Sequence, residues 1–334
     1  MSELVQNKRY EAIDFLKVFL SVGIVLRHAE LVSLAGRNQT YDYINQAGMF
    51  FSDLFVPMFF ILSGFLFFRN APMRFDFKFF TNKWKSRLFS LVIPYVIANC
   101  VAFVCYWLAY RYYPSMMDGF FGDSWKNPLF VFWTGPVNLS LWFIRDLIIA
   151  VLCAPLIWLF VRYTRIWGVV ALGVLCFFVG MHPWYNFYFV IGAWVAMWGH
   201  DTKELCQKTG PWWLLVYYLI FSTAMGGDPQ LRSLTLIPGF VLLIYAAEEF
   251  TTRTKIKIGP QWSAWCFFMY LYHYIPELAL KKLFTNWIDP QSTMGLLFTF
   301  FAVSLITLLL VSGVYYIFKK LLPKPLGVLV GGKL

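Results

Sequence analysis

Long apolar runs recur along the chain, and polar residues gather between them. A helix that crosses a bilayer needs about 20 largely apolar residues. Ten stretches meet or approach that length: roughly 12–33, 48–68, 88–110, 139–161, 166–181, 185–199, 211–227, 233–250, 262–280 and 294–318. They predict an all-α, polytopic membrane bundle of about ten transmembrane helices, one integral-membrane domain over residues 1–334. The fifth and sixth runs are short and separated by little more than "MHPW", which leaves a helical hairpin or a re-entrant pair open. The first run follows "MSELVQNKRYEAIDFLK" and lacks a small-residue cleavage site, so it reads as a retained span and not as a signal peptide.

Composition agrees with the pattern. Sixty per cent of the 334 residues are hydrophobic, 21% are aromatic and only 13% are charged, and the mean hydropathy is +0.62. A soluble domain would carry about 25% charge. The formal net charge of +11 would suggest nucleic acid in a soluble protein; here its distribution matters more. With a cytoplasmic N-terminus, 19 of the 28 Lys and Arg fall in inner segments, six in outer segments, and Lys17, Arg27 and Arg145 within spans. An inner excess of cations orients membrane proteins in this way, so both termini are expected in the cytoplasm. The six cysteines show no metal-ligand spacing and read as packed free thiols. No metal is expected.

Ionisable groups inside spans are expensive unless they face protein or water, which makes them functional candidates. In the first run Lys17 and His28 are eleven residues apart, within about 20° of three full helical turns and about 16 Å along the axis. One helix face thus carries a cation near the inner interface and an imidazole in the outer half. Snorkelling to headgroups is the plain alternative for Lys17, and an interhelical hydrogen bond for His28. Arg27, about 100° around from His28, is expected to pair with Asp53 or meet headgroups. Arg145 opens the fourth run beside Asp146, and the adjacent carboxylate is expected on a different face, leaving Arg145 to look into the bundle at the depth of His28. His273 lies near the middle of the ninth run, either packed or part of the site. Pro57 and the Ser63–Gly64 pair allow bending and close backbone approach. Between the second and third runs, "RNAPMRFDFKFFTNKWKSRLFSLVIPY" sets six cations against Asp76. That segment serves topology and anionic lipid, or it docks a phosphorylated cytosolic ligand through Arg74, Lys83, Lys85 and Arg87. The aromatic stretch near 111–138 is either an interfacial belt or an outer loop that stacks on sugar rings.

Taken in order, these elements resemble the membrane acyltransferase 3 family of multipass acyl-CoA-dependent transferases. The family's Arg, ten residues, His is matched by Lys17, ten residues, His28, which keeps the charge and loses the planar guanidinium fork. "FVPMFFILSGFLF" (55–67), "SRLFSLVIPY" (86–95), "LWFIRDL" (141–147) and "FFMYLYH" (267–273) are similar to its further elements. The resemblance implies transfer of an acyl group, most often acetyl, from cytosolic acetyl-CoA or another acyl-CoA to a hydroxyl of a cell-surface or lipid-linked glycan, in a bacterial cytoplasmic (inner) membrane. It implies His28 as general base with Arg145, or a nearby backbone amide, at the oxyanion, and an acyl-histidine route stays open. Lys17, Arg74, Lys83, Lys85 and Arg87 would hold the donor. Asp14, Ser63, Trp142, Asp146, Tyr270 and His273 would support the substrates. The expected partners are acyl-CoA, a glycan acceptor and membrane lipid, with no nucleic acid. The competing class is a transporter or flippase for a lipid-linked glycan or anionic metabolite, although the inverted halves common in transporters are not visible.

Overall fold

In the computed structural model the described residues are 11–31, 38–48, 52–112, 136–178, 185–199, 202–224, 234–254, 258–289 and 292–333. They are helical throughout, joined by turns and short irregular segments. The helices are α1 (Glu11–His28), α2 (Gln39–Gly48), α3 (Phe55–Phe68), α4 (Phe77–Arg87), α5 (Ile93–Tyr112), α6 (Trp142–Leu152), α7 (Ala154–Phe178), α8 (Tyr185–Trp198), α9 (Thr202–Ala224), α10 (Leu236–Thr254), α11 (Pro260–Tyr272), α12 (Tyr274–Thr285), α13 (Thr293–Leu321) and α14 (Pro323–Leu329). The aromatic stretch near 111–138 lies mostly outside the described residues, as do His182 and His200.

Three helical stretches are long and apolar enough to cross a membrane, the second of them taken across a kink at Arg165: Phe77–Tyr112, Ala154–Phe178 and Thr293–Leu321. Shorter apolar helices occupy Ser52–Phe68 and Asn186–Trp198. In α13 one face buries Leu296, Phe300, Val303, Thr307 and Val311, whereas Phe298, Phe301, Leu305 and Leu309 are exposed. A helix apolar on its exposed face as well as its buried one is built for lipid. The chain is an integral membrane protein.

Proline sets where the helices break, because it cannot donate to the carbonyl four residues back. Pro276 leaves the Tyr272 carbonyl without that donor, and α11 gives way to α12 at His273. Pro155 likewise follows the break at Cys153, and a π-helical turn, Leu88–Val92, precedes Pro94. A fourth interruption has a different origin: Arg165 adopts φ 53°, ψ −137°, so α7 is two shorter helices meeting at that residue.

The chain divides into two compact units that interleave in sequence: Met1–Leu20, Asp53–Phe80 and Cys153–Ser263 in one, Ser21–Ser52, Thr81–Leu152 and Ala264–Leu334 in the other. The first unit is organised by α3 against α8. A Cβ on Gly64 would stand 2.2 Å from the Phe189 carbonyl oxygen, and one on Gly192 would stand 2.1 Å from that of Ile61. Only hydrogen at both positions lets the two backbones approach this closely. In the second unit α12 and α2 pack on α13, and α14 returns along α5.

Candidate active site

The second unit holds the densest group of buried ionisable side chains among the described residues. His28 is the last residue of α1, and its ring centroid lies 5.3 Å from that of His273 and 5.3 Å from that of Tyr274, edge to face. The end of α1 is capped from α12. Lys281 Nζ donates to the carbonyls of His28 at 2.9 Å and Glu30 at 2.6 Å. A cation there satisfies orphan carbonyls and complements the negative end of the helix dipole. An ammonium has three donors, and two are committed to fixing His28.

His273 is fully buried. Its Nδ1 is 3.0 Å from the carbonyls of Met269 and Tyr270, both acceptors only. The proton is therefore on Nδ1, and Nε2 is left as an acceptor without a partner among the described residues. One turn on, Glu277 is 1% exposed, and neither carboxylate oxygen has a hydrogen-bond partner among the described residues. Buried polar groups are nearly always paired, so three unpaired acceptor atoms this close in sequence are unusual.

A polar network fixes the α11 end of the site. Asn138 Nδ2 donates to the Leu271 carbonyl at 3.0 Å, beside the break at His273. Asn138 Oδ1 in turn accepts from Ser140 N at 3.2 Å and Ser140 Oγ at 2.7 Å. The Tyr270 hydroxyl donates to the Ser140 carbonyl, and the Tyr270 ring lies 6.2 Å from that of His273.

The remaining sequence candidates are placed as follows. Arg145 Nε donates to Asp146 Oδ1 at 2.8 Å, against the expectation that the neighbouring carboxylate takes another face. The Cα positions do diverge by about 100°, but the long guanidinium arm folds back across that angle. The helix that carries the pair, α6, packs on Tyr270 through Phe143, whose ring lies 5.4 Å from the phenol ring, edge to face. Arg27 pairs with Glu30, not Asp53, since Glu30 is three residues on and itself held by Asn45 Nδ2 at 2.7 Å. Trp142 opens α6, half-buried.

In the first unit Lys17 Nζ bonds Asp14 Oδ1 at 3.0 Å, and Ser263 Oγ reaches the same oxygen at 3.5 Å. Ser63 is half-buried on α3 beside Gly64, the residue that lets α8 approach. Arg74, also of the first unit, is exposed; in the second unit Lys85 is exposed, while Lys83 and Arg87 are half-buried on α4. Among the described residues no cluster of three or more His, Cys, Asp or Glu side chains is arranged to hold a metal.

Sequence reasoning missed Tyr274, Glu277 and Lys281. A signal was present: His273, Glu277 and Lys281 follow one another at intervals of four, which places them on one helix face.

Comparison with known proteins decides the class. The model of the acyltransferase domain family matches residues 10–316, nearly the whole length and across both units. The chain belongs to the acyltransferase 3 family. That family is named for its acyltransferase domain. The succinoglycan biosynthesis protein ExoH of Rhizobium meliloti is 29% identical over 166 residues, 46% of this chain and 44% of that protein. The match therefore spans less than half of this relative. No solved structure matches.

Proposed function

We propose that this acyltransferase moves an acyl group, acetyl in the first instance, from cytosolic acyl-CoA to a hydroxyl of a cell-surface or lipid-linked glycan. Family membership supplies the chemistry, and the name of the ExoH relative, a succinoglycan biosynthesis protein, favours a glycan acceptor. The observation that carries the site assignment is the His28–His273 pair, with one imidazole locked by its backbone bonds and the other capped in place by Lys281.

In this mechanism neutral His28 takes the proton of the sugar hydroxyl as the oxygen attacks the thioester carbonyl. The tetrahedral oxyanion collapses, the carbon–sulfur bond breaks, and the imidazolium returns its proton to the departing CoA thiolate. Arg145, oriented by Asp146, stabilises the oxyanion. Lys281 is a positioning residue for His28, and Tyr270 and Asn138 hold the His273 segment. Lys17, with Asp14, and the basic residues Arg74, Lys83, Lys85 and Arg87 contact the acyl donor. The reading takes ten spans with both termini in the cytoplasm of a bacterium, so that this donor side faces inward.

The test is glycan mass in cells lacking the gene and complemented with wild type or His28→Ala. Wild type restores a mass increment of one acyl group, and the variant inserts in the membrane at wild-type level without restoring it. Restoration by His28→Ala overturns the assignment of the base.

A further inference from the structure

The break in α7 has a second feature that acyl transfer at His28 does not use. Arg165 stands at φ 53°, ψ −137°, a region that glycine occupies readily and other residues adopt only when the surroundings enforce it. Three residues earlier is Arg162. Both guanidinium groups lie against the same indole: Arg162 Cζ is 5.0 Å from the Trp198 ring centroid and Arg165 Cζ is 4.9 Å from it. The indole is itself fixed, because Trp198 Nε1 donates to the Val161 carbonyl at 3.2 Å.

Two guanidinium carbons that share one ring are within about 10 Å of each other, the scale of the Debye length at physiological salt. At that separation, with Arg165 exposed and Arg162 half-buried, they repel only weakly. Each gains some cation–π attraction, but among the described residues no carboxylate pairs with either. A strained backbone that brings two unneutralised planar forks together calls for an anion, and the fork geometry matches phosphate oxygens. The alternative, that these are simply orienting charges, explains neither the stacking on one indole nor an arginine where glycine fits.

We propose that Arg162, Arg165 and Trp198 form a binding site for a phosphate ester, supplied either by a soluble nucleotide such as the phosphorylated end of an acyl-CoA or by an anionic phospholipid headgroup. The site does not depend on the identity of the base or acceptor, so its test stands apart from that of the transfer reaction.

The experiment uses the full chain in phosphatidylcholine nanodiscs. Adenosine 3′,5′-bisphosphate is titrated in one arm, and in the other phosphatidylglycerol replaces part of the lipid while thermal stability is read. The variant Arg162→Lys/Arg165→Lys keeps both charges, and hence the topology, but loses the planar forks. Wild type responds in at least one arm, and the lysine pair loses about tenfold in affinity there, or most of the stabilisation, the range expected from losing charge-assisted hydrogen bonds. The responding arm names the source. Arg165→Gly, which relieves the strained backbone, raises the melting temperature while weakening the same response. An unchanged response in the lysine pair, or no response of wild type in either arm, overturns the proposal.

Discussion

Replacing Glu277 by methionine removes a carboxylate that is buried with no hydrogen-bond partner among the described residues, while keeping the side chain's length. Removing a buried polar group that makes no hydrogen bond recovers the cost of its desolvation. Thermal denaturation of Glu277→Met in detergent should show an unchanged or higher midpoint together with reduced acyl transfer; a lower midpoint would mean that the carboxylate holds the fold together. At this scale the sequence makes His28, Arg145 and His273 visible one by one, since ionisable groups in apolar runs stand out. Their grouping is not visible. Lys281 caps His28 from 253 positions away, and no local pattern records such a contact. The Arg145–Asp146 bond escapes for the opposite reason: helix periodicity gives the direction of Cβ but not the reach of a long arm.

Among the elements, the contrast between two glycines is decisive. Gly64→Ala forces a Cβ to 2.2 Å from a backbone oxygen, whereas an added Cβ at Gly313 meets nothing within 4 Å. Gly64→Ala should destabilise by about 1–3 kcal/mol, as overpacking does. Gly313→Ala should stabilise by about 0.4–1 kcal/mol, chiefly by restricting the unfolded chain. Thermal melts of the two variants check this, and equal shifts would rule out the tight α3–α8 crossing. The ten apolar runs recur as helices because burial against lipid or protein follows hydropathy. Their interruptions were only partly legible. The run 262–280 reads as one span, yet it bends at His273, where the backbone stays helical and Pro276 withholds a donor from the Tyr272 carbonyl. The separation of 139–161 from 166–181 coincides with the Arg165 break, although nothing in the residue's identity announces a positive φ.

For the whole molecule, the asymmetric distribution of Lys and Arg leads to a definite topology. A fluorescent protein fused to the C-terminus should fold and fluoresce, and a periplasm-dependent phosphatase at the same site should stay inactive; the reverse pattern would invert every assignment of donor and acceptor side. The family match extends across residues 10–316 and so includes parts of both units. The most direct measurement is transfer of label from radiolabelled acetyl-CoA by the purified protein in lipid, with glycan acceptor present and CoA thiol release followed in parallel. Wild type should release thiol and label the glycan in equal amounts, and His28→Ala should do neither while remaining folded. Label transfer by His28→Ala at the wild-type rate, or wild-type protein that leaves the thioester intact, would contradict the account.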